Sequence, residues 1–259
     1  MTRDGQEELG VILYFIGTAA SEGIPNPLCK CSTCQEARKF AFAQRKPPTL
    51  AVILKKGGII LFDVGSDIGE HLPGVSIRTV FLTHWHNDHT YGLYKLRWVA
   101  KKLSLYAPRE GADATILNEP RNLEIQFIKA GDTIKLPPLK ITALKLNHFP
   151  ETLGYLLESK KKKVAILYDT KGLPEETYEL LKKKKPKVAL VDATYPPGVE
   201  MPTHNNVDEA AVLGLSVAEK VYLTHIAHHN LPFTKLLEYV IEKYGEKVNV
   251  AYDGMVVYV

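Results

Sequence analysis

The sequence predicts an α/β protein in which two mixed β-sheets pack face to face and helices flank them. Two observations support this prediction. Short apolar runs rich in Val, Ile and Leu alternate with polar, turn-rich and helical stretches along the whole chain. Strand pairs that read as hairpins occur in both halves, with helical patterns between them, which is typical of two layered sheets. No linker, low-complexity tract or repeat interrupts the pattern, so we expect a single domain over residues 1–259.

The individual elements follow from periodicity and composition. The predicted strands, in chain order, are Val11–Ile16, Leu50–Lys55, Ile59–Asp63, Thr79–Leu82, Leu103–Tyr106, Lys140–Leu146, Leu153–Glu158, Val164–Tyr168, Val188–Val191, Lys220–Leu223, Val248–Tyr252 and Met255–Val259. The predicted helices are Ser32–Gln44, Pro174–Lys185, Val207–Leu215 and Pro232–Tyr244. Pro174 suits a first helical turn because its missing N–H is not needed there.

The composition is that of an ordinary globular protein. Of the 259 residues, 45% are hydrophobic and 24% charged, and the net charge is only +4. Much of the basic surplus lies in two lysine runs, 160–163 and 182–185, which read as a hairpin tip and a helix end rather than as nucleic-acid contacts. No apolar run approaches the roughly 20 residues needed to span a bilayer, and residues 1–10 lack a signal-peptide pattern. We expect a cytoplasmic protein without a membrane partner.

The most informative motif is the hexapeptide HWHNDH at residues 84–89, directly after a predicted strand and Thr83. His84 and His86 are two residues apart, so their imidazoles face the same side of an extended segment. Asp88 and His89 come where the chain can turn into a helix and face the same volume from its other side. Nitrogen and oxygen donors together suit a d-block divalent cation. The motif therefore predicts a metal site.

Further metal donors occur where other predicted strands end. His148 follows the strand Lys140–Leu146, Asp169 follows Val164–Tyr168, and His225 comes just after Lys220–Leu223. Each alone could be a surface or turn residue. Their shared position at strand ends lets them converge at one edge of the sheets, so together they favour a dinuclear centre.

These motifs resemble the metallo-β-lactamase superfamily, and the resemblance covers essentially the whole chain. It implies an αβ/βα sandwich with the metal ions at one edge. It further implies that one ion, Zn²⁺ or Mn²⁺, is held by His84, His86 and His148. The second would be held by Asp88, His89 and His225, with Asp169 bridging the pair. Asp63 matches a buried aspartate that supports the metal loop in that superfamily.

A second metal site is predicted near the start of the chain. All three cysteines, Cys29, Cys31 and Cys34, lie within six residues, which is awkward for a disulfide framework. Three thiolates leave a tetrahedral zinc one ligand short. We choose His228 as the fourth ligand of this structural zinc, and His229 is the alternative.

The combination narrows the resemblance to a subgroup. The segment 17–25, the C-x-C-x2-C motif and the C-terminal H-x2-H resemble PhnP-type proteins, which are phosphoribosyl cyclic phosphate phosphodiesterases with a structural zinc. PqqB proteins share the cysteine pattern, so it marks a subgroup and not one substrate. The resemblance makes a homodimer plausible. It also implies that His204 lies near the substrate's leaving oxygen.

These assignments predict a dinuclear metal-dependent phosphodiesterase that acts on a small cyclic phosphodiester such as phosphoribosyl 1,2-cyclic phosphate. A metal-bridging hydroxide would attack phosphorus, because two divalent ions lower the pKa of a shared water. Asp88 and Asp169 would hold the metals and orient the hydroxide, and His204 would protonate the leaving oxygen. Two alternatives remain, a PqqB-like biosynthetic or binding protein and a tRNA 3′-processing nuclease. Nucleic acid longer than short oligonucleotides is not expected, because the sequence lacks a long Gly/Pro-rich insertion to grip tRNA.

Overall fold

Two seven-stranded β-sheets form the centre of the molecule. The computed structural model describes residues 11–54, 58–69, 71–72, 74–160 and 162–259. Three predicted features reach beyond these residues: Lys55 of the second predicted strand, Lys161 of the first lysine run and residues 1–10 of the predicted domain.

The first sheet has the strand order β14-β1-β2-β3-β4-β5-β6. Its strands are β1 (Val11–Gly17), β2 (Thr49–Leu54), β3 (Ile59–Phe62), β4 (Ile77–Phe81), β5 (Leu103–Ala107), β6 (Leu123–Phe127) and β14 (Val256–Tyr258). Pairing is antiparallel from β14 through β1 and β2 to β3, and it is parallel from β3 through β4 and β5 to β6. The sheet is therefore mixed.

The second sheet has the order β13-β12-β11-β10-β9-β8-β7. Its strands are β7 (Thr133–Leu136), β8 (Leu139–Lys145), β9 (Leu153–Ser159), β10 (Lys162–Leu167), β11 (Val188–Asp192), β12 (Lys220–Thr224) and β13 (Val248–Val250). Pairing is parallel from β10 to β13 and antiparallel from β7 to β10. Every residue of β11 is buried, as expected for a parallel strand covered on both faces.

Helices lie around the two sheets, most of them on the outer faces. They are α1 (Ser32–Lys39), α2 (Asn87–Thr90), α3 (Leu93–Leu96), α4 (Ala114–Asn118), α5 (Glu175–Lys184), α6 (Val207–Val217) and α7 (Phe233–Tyr244). Helix α6 begins with a capping box formed by Asn206 and Glu209, which fixes the chain just after His204. In the described part of the chain, no helix is long and apolar enough to cross a bilayer.

Three apolar clusters hold the layers together. The cluster between the sheets contains Phe62 and Phe81 from the first sheet and Tyr155 and Ile166 from the second. Tyr155 also donates a hydrogen bond to the Leu82 carbonyl. A second cluster packs α5, α6 and α7 on the second sheet, and a third packs α3 and α4 on the first. This arrangement confirms the predicted fold class, two mixed sheets face to face with helices outside.

The structure differs from the predicted elements in a few places. Strands β6 and β7 were not predicted, because they are short and most of their residues are exposed or only partly buried at the sheet edge, so neither forms a continuous apolar run. The predicted helix Ser32–Gln44 is shorter, since α1 ends at Lys39 and a 3₁₀ turn follows at Ala41–Ala43. The short helices α3 and α4 were also missed, because four or five residues carry too little periodicity to read, whereas α2 lies where the hexapeptide was expected to turn into a helix.

Candidate metal centre

The predicted metal donors meet at one edge of the two sheets, where several strands end. His84 follows β4, His148 follows β8, Asp169 follows β10 and His225 follows β12. The hexapeptide turns into α2 at Asn87, which brings Asp88 and His89 round to the same edge. The structure thus brings together all seven side chains predicted for the dinuclear site.

Three residues at this edge have a left-handed backbone. The φ angles are +55° at Asp63, +52° at Asp169 and +57° at His225. Such a conformation costs a non-glycine residue about 1–3 kcal/mol, so the surrounding structure must hold these residues in it. Each lies just after a strand, so the turn directs a polar side chain back across the sheet edge.

Four of the seven side chains form a first cluster, in which one donor atom from each lies within 4.8 Å of the others. His84 Nε2 is 2.8 Å from His86 Nδ1 and 3.5 Å from Asp169 Oδ2. His148 Nε2 is 3.9 Å from the same carboxylate oxygen. Three imidazole nitrogens and one carboxylate therefore surround a common space.

A second cluster adjoins the first and meets the same 4.8 Å limit. His89 Nε2 lies 3.3 Å from Asp88 Oδ2 and 3.2 Å from Asp169 Oδ2. His225 Nε2 lies 3.0 Å from Asp169 Oδ1 and 3.6 Å from Asp88 Oδ2. Asp169 belongs to both clusters, because its Oδ1 faces His225 while its Oδ2 faces His89 and the histidines of the first cluster. This is the position that the resemblance implied for a bridging residue.

The donor atoms have the chemistry that divalent cations require. Within the described residues, four buried atoms of these clusters make no hydrogen bond of good geometry and have only other members of the clusters as close polar neighbours, at 3.0–3.9 Å: His89 Nε2, His148 Nε2, Asp169 Oδ1 and His225 Nε2. Buried polar atoms without partners are rare in folded proteins. Coordination would satisfy these nitrogen and oxygen atoms, and their mixture suits Zn²⁺ or Mn²⁺. The residues therefore fit the metal ions that the fold family implies.

A buried aspartate and threonine support the first-sheet donors. Asp63 is fully buried, and its Oδ2 lies 2.8 Å from His89 Nδ1. The Thr83 backbone N–H and hydroxyl donate to the two Asp63 oxygens at 2.7 and 2.9 Å. The same hydroxyl is 3.0 Å from His84 Nδ1. The Nδ1 atoms of His84 and His89 are thus fixed by these contacts, and the Nε2 atoms of the two rings face the clusters.

A similar network supports the second-sheet side chains, and it was not predicted from the sequence. Asp192 is the fully buried last residue of β11, and its Oδ2 lies 2.6 Å from His204 Nδ1. Its Oδ1 accepts from the Thr194 hydroxyl at 2.6 Å, and that hydroxyl is 2.9 Å from His225 Nδ1. The signal was present in Val-Asp-Ala-Thr, a buried strand that runs into a carboxylate. Its partners, however, come from distant loops.

His204 lies beside the clusters rather than among the seven donors. Its ring centroid is 4.9 Å from that of His148 and 5.3 Å from that of His225, and its side chain is 15% exposed. Asp169, Asp192, His204 and His225 also meet the distance criterion for a metal group. Since His204 Nδ1 already contacts Asp192, Nε2 is its available nitrogen.

Charge interactions shift the pKa values of these groups strongly. Burial lowers the pKa of His84. Burial also opposes protonation of His225, but the Asp169 carboxylate outweighs it and raises the pKa to about 9. Burial alone would raise the pKa of Asp169, but protonated His225 and His89 outweigh it and hold that pKa well below its usual range. Without metal, positive charge thus stands on histidines beside the carboxylates. Metal binding must displace those protons.

The cysteine cluster forms a separate group of potential ligands. Cys29, Cys31, Cys34 and His228 have donor atoms within 4.8 Å of one another, and the three cysteines are free. His228 Nδ1 is 3.3 Å from Cys29 Sγ and 3.8 Å from Cys31 Sγ. The His229 ring instead lies against the His228 ring, with 3.8 Å between centroids, and is outside this group. The geometry therefore favours His228 over His229 as the fourth member.

Comparison with known sequences matches residues 60–226 to the family described as "Beta-lactamase superfamily domain". An octanoyltransferase of Porphyromonas gingivalis is 26% identical over 260 residues, covering 93% of this chain and 50% of that protein. A ribonuclease Z of Pyrococcus horikoshii is 30% identical over 141 residues, covering 46% of this chain and 45% of that protein. The chain spans about half the length of the curated relatives that it matches.

Solved structures share the fold over nearly the full chain. A diphosphatase from the PhnP family superposes with a TM-score of 0.81 at 23% identity, covering 96% of this chain and 97% of that one. Zinc-bound PqqB from Methylobacterium extorquens gives 0.76 at 19%, covering 95% and 99%. The short form of human tRNase Z gives 0.68 at 19%, covering 95% and 98%. Since the superfamily match also covers well over half of the residues, the chain belongs to the beta-lactamase superfamily and has its metallo-β-lactamase fold.

Proposed function

We propose that this protein is a dinuclear metal-dependent hydrolase that cleaves a small phosphodiester, with a cyclic phosphodiester as the expected type. One observation carries the proposal. Seven histidine and aspartate side chains converge in two clusters that share Asp169, and several of their buried atoms make no hydrogen bond of good geometry among the described residues. A purely structural polar network would satisfy those atoms internally.

In the proposed centre, His84, His86 and His148 would hold one ion, and Asp88, His89 and His225 would hold the second, with Asp169 available to both. When bound, two divalent cations supply Lewis acidity that activates water and neutralises charge on phosphodiester oxygens. The protein orients three of the histidine ligands through contacts to their Nδ1 atoms. Thr83 and Asp63 contact those of His84 and His89, and Thr194 contacts that of His225.

His204 is our candidate proton donor to the leaving oxygen. Its Nδ1 contacts Asp192, so Nε2 is the atom that can release a proton. Burial by itself lowers the pKa of His204, but the Asp192 carboxylate outweighs it, and the pKa lies above its ordinary value. The imidazolium form therefore persists to a higher pH, which suits a general acid near neutrality.

The cysteine cluster is proposed to hold a structural zinc. Three sulfurs and His228 Nδ1 supply the Cys₃His set that tetrahedral zinc prefers. His228 lies three residues after His225, so such an ion would tie the segment around α1 to the loop that carries a proposed catalytic ligand. We expect it to contribute folding free energy rather than chemistry.

RNA processing is the second candidate, because the ribonuclease Z of Pyrococcus horikoshii is 30% identical over 141 residues. A small substrate is favoured here by the net charge of only +4, since tRNA binding draws on many cationic contacts. A PqqB-like role without hydrolysis has less support, because a complete ligand set accompanied by a candidate acid suits turnover.

The test is hydrolysis of bis(p-nitrophenyl) phosphate by protein loaded with Mn²⁺ or Zn²⁺, beside a thioester and a precursor tRNA. The proposal expects turnover of the phosphodiester that chelator abolishes and added metal restores. Elemental analysis should give two exchangeable ions and one tightly held zinc per chain. Turnover of precursor tRNA alone would favour the nuclease, and a metal-loaded protein inert toward every phosphodiester would refute the proposal.

A further inference from the structure

A cleft of about 450 Å³ opens beside the proposed metal centre. It lies between the loop after β8, the loop after β5 and the loop that joins β6 to β7. The residues that matter for its chemistry are Glu110, Lys129, Lys145, His148, Phe149 and Glu151. Its volume falls within the roughly 300–1,000 Å³ that small-molecule sites occupy. Because His148 lines both the cleft and the first cluster, a ligand bound across His148 would reach both.

Phe149 is the most unusual residue of this cleft. Its side chain is 78% exposed although it directly follows His148, whose Nε2 points toward Asp169. Single exposed aromatics are common on protein surfaces. This one, however, lines a cleft next to a proposed catalytic centre. A flat, apolar ligand could cover the exposed Phe149 ring by stacking on it.

The charges around the cleft cancel. Lys129 and Lys145 are matched by Glu110 and Glu151, and Lys145 also lies 4.0 Å from Glu176. The Glu151 backbone N–H donates to Glu110 at 3.2 Å, which links two of the loops. A wall without net positive charge gives little attraction for a second phosphate group. It suits a neutral ring that both donates and accepts hydrogen bonds.

We propose that this cleft binds a nucleobase, and that the substrate is therefore a nucleoside phosphodiester rather than a phosphoribosyl compound with a second phosphate. The inference rests on the proposed function for the position of the scissile phosphate beside His148. Phe149 supplies the stacking surface, and the glutamates and lysines contact the polar edge of the base. Nucleobases combine a flat π-face with edge donors and acceptors, which is the combination that the cleft offers.

The first experiment is equilibrium binding to the metal-loaded full chain by calorimetry. The probes are adenosine 5′-monophosphate and ribose 5-phosphate, which differ only at C1′, where one carries the base and the other a hydroxyl group. We expect the nucleotide to bind at least about tenfold more tightly, since stacking on an aromatic ring contributes about 1–3 kcal/mol per base. Phe149→Ala should remove this preference and Phe149→Tyr should keep it. Phe42→Ala is the matched control, because Phe42 is also exposed but does not line the cleft.

The second experiment compares kcat/KM of the metal-loaded protein for adenosine 2′,3′-cyclic phosphate and for the base-free methyl riboside 2′,3′-cyclic phosphate. The ratio should exceed about ten and fall toward one in Phe149→Ala. Equal binding of the two probes by the natural protein would overturn the inference, as would a preference that Phe149→Ala leaves intact. A binding preference in a protein that turns over no phosphodiester would uphold the base site and refute the proposed hydrolase.

Discussion

In each half of the candidate centre, a buried aspartate and a threonine support two histidines, but the histidines lie differently with respect to the metal clusters. In the first half, Asp63 and Thr83 contact His84 and His89, and both histidines belong to the metal clusters. In the second half, Asp192 and Thr194 contact His204 and His225. Only His225 is among the seven predicted donors. The other histidine stands beside them with its second nitrogen available.

The difference shows how one arrangement can position a ligand or a proton donor. A buried carboxylate fixes the tautomer and orientation of an imidazole and makes its other nitrogen more basic. Where that nitrogen faces several donors, it can complete a metal site. Where it lies beside them, as in His204, the carboxylate of Asp192 raises the pKa, which suits the proposed role as proton donor. The contrast can be tested by changing matched residues in the two halves.

The largest effect is expected from His204→Ala. Loss of a general acid lowers turnover by about 10²–10⁴-fold, and the metal content should stay the same because His204 is outside the proposed ligand set. The loss should be greater for a substrate with an alkoxide leaving group than for bis(p-nitrophenyl) phosphate, since p-nitrophenolate leaves without a proton. Steady-state rates and elemental analysis measure this. His71→Ala is the control, and an unchanged turnover would exclude His204 as the acid.

Replacing Asp63 or Asp192 by asparagine should separate the roles of the two aspartates. Asp63→Asn is expected to weaken metal binding by about 10–100-fold, because His89 loses the carboxylate that orients it. Asp192→Asn should weaken it less, since Asp192 reaches His225 only through Thr194. It should also lower the pKa of His204. His204 would then lose its proton at a lower pH, and the alkaline limb of the kcat profile would move to lower pH. Chelator competition and pH profiles provide the measurement. Equal losses of metal affinity and an unmoved limb would contradict the contrast.

The threonines should give a smaller effect. Thr83→Val and Thr194→Val keep the shape but remove the hydroxyl, and each leaves buried acceptors unsatisfied. The free energy of unfolding of the metal-free protein should fall by about 1–3 kcal/mol in each case. Thr83→Val should cost more, because its hydroxyl contacts Asp63, His84 and His89. Denaturant titration measures the change, with the corresponding serine variants as controls. A larger loss from Thr194→Val would reverse this ranking.

Cys31→Ser should have the smallest effect on turnover. We expect one zinc per chain to be lost and the melting temperature to fall, because a structural zinc contributes folding free energy. Any change in turnover should come from displacement of His225, which lies three residues before His228. The second half of the centre should therefore be disturbed more than the first. Zinc analysis and thermal melts test this, with Ser32→Ala as the neighbouring control. An unchanged zinc content would refute the structural site.

The fold and the convergence of the donors could be predicted because both leave local signals. Buried strands read as apolar runs, and polar residues at their ends, such as His148 and Asp169, stand out against them. Strands β6 and β7 left no such signal at the sheet edge. Asp192 and Thr194 were missed for a different reason. Their partners, His204 and His225, lie 12 and 31 residues away and meet them only after the chain folds. The exposed cleft around Phe149 also depends on loops whose arrangement no local pattern predicts.

The proposed ligands come from both layers of the sandwich, with the hexapeptide and α2 on one side and His148, Asp169 and His225 on the other. Bound ions would therefore crosslink the two β-sheets at the edge where the donor side chains meet. Ligand binding to the native state alone adds about 4 kcal/mol when the free ligand exceeds its Kd a thousandfold. Resistance of the purified protein to proteolysis should then increase with metal occupancy.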